Sequence, residues 1–208
     1  YMIKIITFFT KLSLPLLSLY VFSGCSNYGK NADVLSSELA IAEQCRNMNI
    51  TFEKDCYDLI SYKNSFAQLR LGLDAQYRGL FDESLKRYTM AKEQGNFYAI
   101  SLIADLYSNG LGVDMDDKKA FNLLKSTKDI DPIAAYKISY FYFSQGNYVD
   151  GVKYLTLAGE NGVKTAQNEL SILYSNGQYI EPDLEKSEFW TLQYQENNDD
   201  FMKRIYGR

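Results

Sequence analysis

No histidine occurs anywhere in the 208 residues. The chain therefore lacks the side chain that most often moves protons near neutral pH and most often ligates metal, which excludes a histidine-based triad and a zinc hydrolase. Only three prolines are present against 46% apolar residues. Such a composition is neither that of a disordered chain nor that of a proline-rich linker. Positive charge is also in short supply: 22 Lys and Arg stand against 26 Asp and Glu. With no basic stripe, the chain is not expected to bind nucleic acid. The length suits one domain or a short stack of repeats.

What is there begins with an apolar leader. Met2 reads as the initiator, Lys4 and Lys11 form a basic region, and Leu12 to Phe22 is an apolar run. That run is too short by itself to span a hydrocarbon core of ~30 Å. Ser23, Gly24 and Cys25 follow. The stretch Phe22-Ser23-Gly24-Cys25 resembles the lipobox of a bacterial lipoprotein signal, with Phe22 in place of the usual Leu. The resemblance implies a signal peptide over 1–24, a lipidated Cys25 with a tether over 25–31, and a lipid anchor facing the periplasm. With Ser26 after the cysteine, it further implies sorting to the outer membrane. The alternative is a single uncleaved anchor over 2–23, which would have to accommodate both lysines.

Two cysteines remain after the leader, Cys45 and Cys56. An even pair in an oxidising compartment suggests a disulfide. The sequence ADVLSSELAIAEQC followed by TFEKDCYDLISY reads as two helices, an N-terminal hairpin over 32–64 that the bridge would staple. Two buried free thiols are the alternative.

The rest of the chain repeats itself. LYSNG stands at 106–110 and again at 173–177, an offset of 67 residues, and MAKEQG at 90–95 mirrors LAGENG at 157–162. Half of that offset is the true unit, because the anchor alanines Ala67, Ala99, Ala134 and Ala166 are spaced 32, 35 and 32. Periods of this length with two amphipathic helices each mean a helical solenoid. A larger apolar residue follows each alanine at the fourth position and a small one, Gly72, Ala104, Ser139 or Ser171, at the fifth. The small residue lets the next helix approach. Gly79, Gly110, Gly146 and Gly177 then stop the first helices. Asp131-Pro132 opens the third unit, and Asp116 and Asp183 are placed to cap second helices.

These residues resemble the Sel1-like repeat, a relative of the tetratricopeptide repeat. Unit two carries the pattern through Ala99, Ile103-Ala104, Tyr107, Gly110-Leu111-Gly112-Val113, Asp116 and Lys119-Ala120. Unit four carries it through Ala166, Leu170, Tyr174, Gly177, Asp183, Lys186 and Trp190, with Tyr179-Ile180 replacing Gly-Val and Ser187 replacing Ala. Units one and three lack the Gly-x-Gly-Val loop and look closer to plain tetratricopeptide units. The expected fold is an all-α solenoid of about four helix-turn-helix repeats over 65–197, with the N-terminal hairpin before it. A capping helix over 198–208 would cover the last apolar face through Phe201, Met202 and Ile205.

Chemistry is thinly represented. Asp114, Asp116 and Asp117 do not have the glycine and terminal glutamate of a calcium loop, and capping explains their position better. GLGVD follows a helix and has no phosphate-binding lysine. No catalytic residue, metal site or small-molecule cofactor is expected, and the chain reads as a non-enzyme. One feature stands out in YKISYFYF: Tyr136, Tyr140 and Phe143 fall on one side of the first helix of unit three, opposite Ala134, Ile138, Ser139 and Tyr142. The equivalent positions include Asp105 in unit two and Asn168 and Ile172 in unit four. These six residues, Tyr136, Tyr140, Phe143, Asp105, Asn168 and Ile172, are the candidate surface for a protein or peptide partner. The competing reading is that neighbouring helices cover the rings.

The resemblance implies an adaptor that binds a protein partner through the inner curve of the solenoid. Relatives that are periplasmic lipoproteins protecting bacteria from secreted toxins, particularly phospholipases, imply an immunity protein as the alternative. Relatives linked to cell-wall precursors carry a regular cysteine pair in each repeat, and 65–208 contains no cysteine.

Overall fold

The computed structural model describes residues 32–46 and 50–207. The leader, Cys25 and the tether lie outside the described residues. Among those described, every regular element is an α-helix. None of these helices is long and apolar enough to cross a membrane.

An N-terminal pair, α1 (Ala32–Arg46) and α2 (Ile50–Ile60), precedes four helical hairpins. The first helices of the hairpins are α3 (Ser65–Tyr77), α5 (Tyr98–Asn109), α7 (Pro132–Ser144) and α9 (Lys164–Asn176). Their partners are α4 (Phe81–Glu93), α6 (Asp117–Thr127), α8 (Tyr148–Glu160) and α10 (Leu184–Glu196). A short helix, α11 (Phe201–Tyr206), ends the described chain. From α1 to α10 each helix packs on the next one in sequence, which is how a solenoid buries faces that no single hairpin can bury alone.

Local chemistry sets the boundaries. Gly110 and Gly177 close α5 and α9 in the left-handed conformation, with φ of 63° and 64°; glycine adopts it without the clash a Cβ would bring. LYSNG is thus a helix end plus its stop. Asp116 accepts from the Lys119 amide at 2.8 Å and Asp183 from the Lys186 amide at 3.0 Å, which starts α6 and α10 in the same way.

All four anchor alanines are fully buried. Around them lie two apolar clusters, one gathered on Phe66, Leu69, Tyr88, Leu102 and Leu106, the other on Ile138, Leu155, Leu170 and Trp190. At the small fifth position of α3, a Cβ on Gly72 would stand 2.5 Å from Cε1 of Tyr88. Glycine here is what allows α4 to lie against α3.

Cys45 and Cys56 are joined in a disulfide with their Cα atoms 5.5 Å apart, linking α1 to α2. Arg70 of α3 reaches both helices: its guanidinium bonds Glu43 of α1, and it donates to the Tyr57 hydroxyl of α2 at 3.0 Å.

The C-terminal helix departs in part from its expected place. Phe201 and Met202 do pack against the C-terminal cluster, but they also meet the N-terminal one, and α11 turns back so that it packs against α3 and buries Ile205 there. Asn197 donates to the Gly162 carbonyl at 3.0 Å and to Gln167 at 2.9 Å, and the Phe201 amide donates to Gly162 at 2.9 Å. These bonds pin the tail where α8 turns into α9. From there Phe201 meets the Tyr98 ring edge-on at 5.9 Å, and Ile205 is buried in the N-terminal cluster. The physical reason is in the sequence of the tail: Ile205 and Tyr206 need an apolar floor, and the starts of the first helices provide one in Phe66, Phe97 and Tyr98.

Candidate functional site

The first helices of the units lie side by side. Helices α5 and α7 are in contact, whereas α7, α9 and the loop after α9 enclose a groove of about 250 Å³. Tyr140, Phe143, Leu155, Ile172 and Tyr179 line it, with Glu169 at one end.

Each lining residue is placed by a local cause. Ala134, Ile138 and Ser139 bury one side of α7, and the helical repeat turns Tyr136, Tyr140 and Phe143 the other way. Phe143 settles onto α8 where Gly151 leaves room, since a Cβ there would lie 2.7 Å from its ring. Tyr179 comes from the loop after α9 and is stacked between Phe143 at 5.3 Å and Tyr148 at 4.9 Å. Together these rings form a wall of flat apolar surface.

The polar end is built differently. Tyr136 and Tyr140 meet edge to face at 5.3 Å, and both hydroxyls donate to Oε1 of Glu169, that of Tyr136 at 2.8 Å. A phenol has one proton, so with both given to the carboxylate the 2.9 Å approach of the two hydroxyl oxygens is contact across a shared acceptor. Burial pushes the Tyr136 phenol up to about 12, and the bond to Glu169 adds to the shift. Burial and the same carboxylate push Tyr140 higher still. Both phenols therefore stay protonated at neutral pH and keep Glu169 in position.

Of the six residues expected at a partner surface, the fold brings four together. Tyr140, Phe143 and Ile172 line the groove, and Tyr136 is bonded to its polar end. Tyr140 is 46% and Ile172 50% exposed, whereas neighbouring helices cover part of Tyr136 and Phe143, which are half-buried against the C-terminal cluster. Asp105 is not part of the groove; it is taken up by an ion pair with Lys137 of the next first helix. Asn168 is exposed on α9 outside the lining.

Glu169 and Tyr179 belong to the groove but escaped the sequence reading. The signal for Tyr179 was visible as the aromatic residue standing where the repeat has a glycine. Glu169 occupies the third position after the anchor alanine, where the other units carry Arg70, Leu102 and Lys137. Among the described residues, no group of three or more Asp, Glu or Cys is placed to hold a metal ion.

A family model described as the Sel1 repeat matches the chain at 98–127, 132–163 and 164–193. The third unit thus carries the same repeat even without the Gly-x-Gly-Val loop, which corrects a grouping drawn from that loop; its helix-packing positions carry the pattern. Among solved structures, a Sel1 repeat protein from Oxalobacter formigenes superposes with a TM-score of 0.62 at 19% identity, covering 79% of this chain and 74% of that one. A protective antigen present in uropathogenic Escherichia coli strains, displaying an SLR fold, gives 0.58 at 23% identity and covers 77% of this chain. The match spans only 38% of that antigen's length. Identities this low speak for the fold alone. No curated protein matches the chain.

Proposed function

With three Sel1 repeats over 98–193 as the premise, we propose that this chain is a non-catalytic binding protein that holds a protein partner on the face lined by its first helices. The observation that carries this reading is the groove between α7 and α9, an exposed aromatic and aliphatic surface whose rings are locked by stacking and by bonds to Glu169. Rigid aromatic side chains lose little entropy when they become buried at an interface, and they dominate binding energies there. We further propose that the chain is tethered to the periplasmic side of the cell envelope, in the outer membrane, through an acylated Cys25. Three acyl chains at about 0.8 kcal/mol per buried CH₂ would make a stable anchor.

Photo-cross-linking tests the binding surface. Benzoylphenylalanine in place of Ile172 is expected to give an adduct with one protein partner, and the same group in place of the exposed Leu59 of α2 to give none. The adduct should vanish in the Tyr136→Ala/Tyr140→Ala/Phe143→Ala variant. An adduct with an envelope protein fits an adaptor, one with a secreted lipase fits the immunity role, and equal labelling from Leu59 and Ile172 would remove the groove from consideration. The anchor is tested separately: metabolic incorporation of an alkyne fatty acid should be lost in Cys25→Ser, and an unlabelled native chain rules the tether out.

A further inference from the structure

The third position after each anchor alanine forms a row across the solenoid: Arg70, Leu102, Lys137 and Glu169. The two cations in this row are neutralised inside the fold, Arg70 by Glu43 and Lys137 by Asp105. Glu169 is the exception. It is half-buried at the polar end of the groove, and among the described residues its partners are the phenols of Tyr136 and Tyr140, with no cation on it. A phenol donates a hydrogen bond but brings no positive charge, so the carboxylate keeps its full field in a place where water is partly excluded. Both hydroxyls bind Oε1. The other oxygen keeps its acceptor capacity.

We infer that the groove selects a partner segment that presents an arginine next to an aliphatic or aromatic residue, the guanidinium meeting Glu169 over the face of Tyr140 and the apolar residue lying against Phe143, Ile172 and Tyr179. This rests on the protein-binding reading above and adds the chemistry of what is bound. A planar guanidinium suits the site because it donates from several N–H groups at once and stacks on an aromatic ring, neither of which a compact ammonium does equally well. The rest of the lining carries no charge, its only other polar side chains besides the tyrosines being Asn176 and Gln178, and the chain as a whole is acidic, with a formal charge of −4. A basic segment is therefore drawn toward it, and an acidic one is repelled.

The test uses two peptides that differ only in charge, acetyl-Leu-Arg-Phe-amide and the same sequence with citrulline for arginine. The full-length chain, carried in lipid nanodiscs, is observed through the methyl resonance of Ile172 during titration. The arginine peptide is expected to shift this resonance and to reach half-saturation at a roughly tenfold lower concentration than the citrulline peptide, the margin of a charge-assisted bond over a neutral one. In Glu169→Gln, whose circular dichroism should be unchanged, that margin should disappear. Equal binding of the two peptides by the native chain overturns the inference while leaving an apolar groove in place. A margin that survives Glu169→Gln, or no shift with either peptide, overturns it as well. The Ile172 cross-linking result stands apart from all three outcomes, because it reports whether the groove holds any protein at all.

Discussion

Arg70 and Arg204 are 134 residues apart, yet the guanidinium of the first donates to the backbone carbonyl of the second at 3.2 Å. The same guanidinium holds Glu43 and Tyr57. One side chain thus gathers α1, α2, α3 and α11, so the two ends of the solenoid share a single buried knot. The knot follows from burial: Arg70 is 4% exposed, and a charge taken out of water must find a counter-charge and acceptors nearby. Gly207 completes it, since a Cβ there would lie 2.8 Å from Nε of Arg70.

Truncation after Asn197 discriminates between a tail that caps the last repeat and one that crosses to the first. Loss of the buried Ile205 and Tyr206 side chains should cost about 4 kcal/mol. Hydrogen exchange should then quicken in α3 and at the start of α5, the surfaces that the tail covers. Acceleration confined to α9 and α10 would mean that the tail serves the last repeat instead.

The disulfide bears on the same knot. Cys45 and Cys56 close a short loop, and a cross-link of that length stabilises by about 3 kcal/mol in the chain-entropy model. Glu43 and Tyr57 stand beside the two cysteines on the two joined helices, so Cys45→Ser/Cys56→Ser should also loosen the grip on Arg70. A urea titration of native and variant chains, with and without reductant, measures this. The native chain should lose stability on reduction, and the variant should be indifferent.

Gly72 offers a test of close packing between helices. Alanine is the better helix former by about 1 kcal/mol, so Gly72→Ala would stabilise an isolated helix. In the fold the new methyl group would meet the fully buried Tyr88 ring, and overpacking of this kind costs about 1–3 kcal/mol. The melting temperature should therefore fall. A rise would mean that the Tyr88 ring moves aside freely.

Much of this architecture was written in residue spacing. Alanines at intervals of 32, 35 and 32 fix the units because a helix face tolerates only a small residue where its neighbour crosses. LYSNG, Asp116, Asp131 and Asp183 mark helix ends because caps are local chemistry. Tyr136, Tyr140, Phe143 and Ile172 were legible for the same reason, as residues left over once the packing face of each helix is assigned. The fates of Asp105 and α11 were not. Whether Asp105 faces solvent depends on Lys137 in the next unit, and where Ile205 lies depends on how far the stack turns before its end. Both are set by tertiary geometry, to which helical periodicity is blind. Glu169 falls between the two cases: its position in the repeat was readable, but its lack of a cation appears only when Arg70 and Lys137 are seen with theirs.

Asp131 makes stability depend on pH in an unusual direction. It caps α7, accepting from the Ile133 amide at 2.8 Å and from the Ser101 hydroxyl at 2.6 Å. It has no exposed surface, and this burial raises its carboxyl from 3.8 to about 6, against the lowering effect of those bonds and of Lys137. Between these two values the folded chain binds the proton more tightly than the unfolded chain does, so this group's contribution is complete below pH 4 and fades as the pH rises through 6. The difference between the two limits is about 3 kcal/mol. Other groups of the chain bind and release protons over the same range, so the effect is isolated by difference. Asp131→Asn keeps a capping oxygen and cannot ionise, and Ser101 can turn its hydroxyl to accept from the amide. The stability of this variant relative to the native chain, from urea midpoints at pH 4.5 and 7.5, should therefore increase with pH. A constant difference would mean that Asp131 is already ionised at the lower pH, and that its hydrogen bonds, rather than its burial, set its charge.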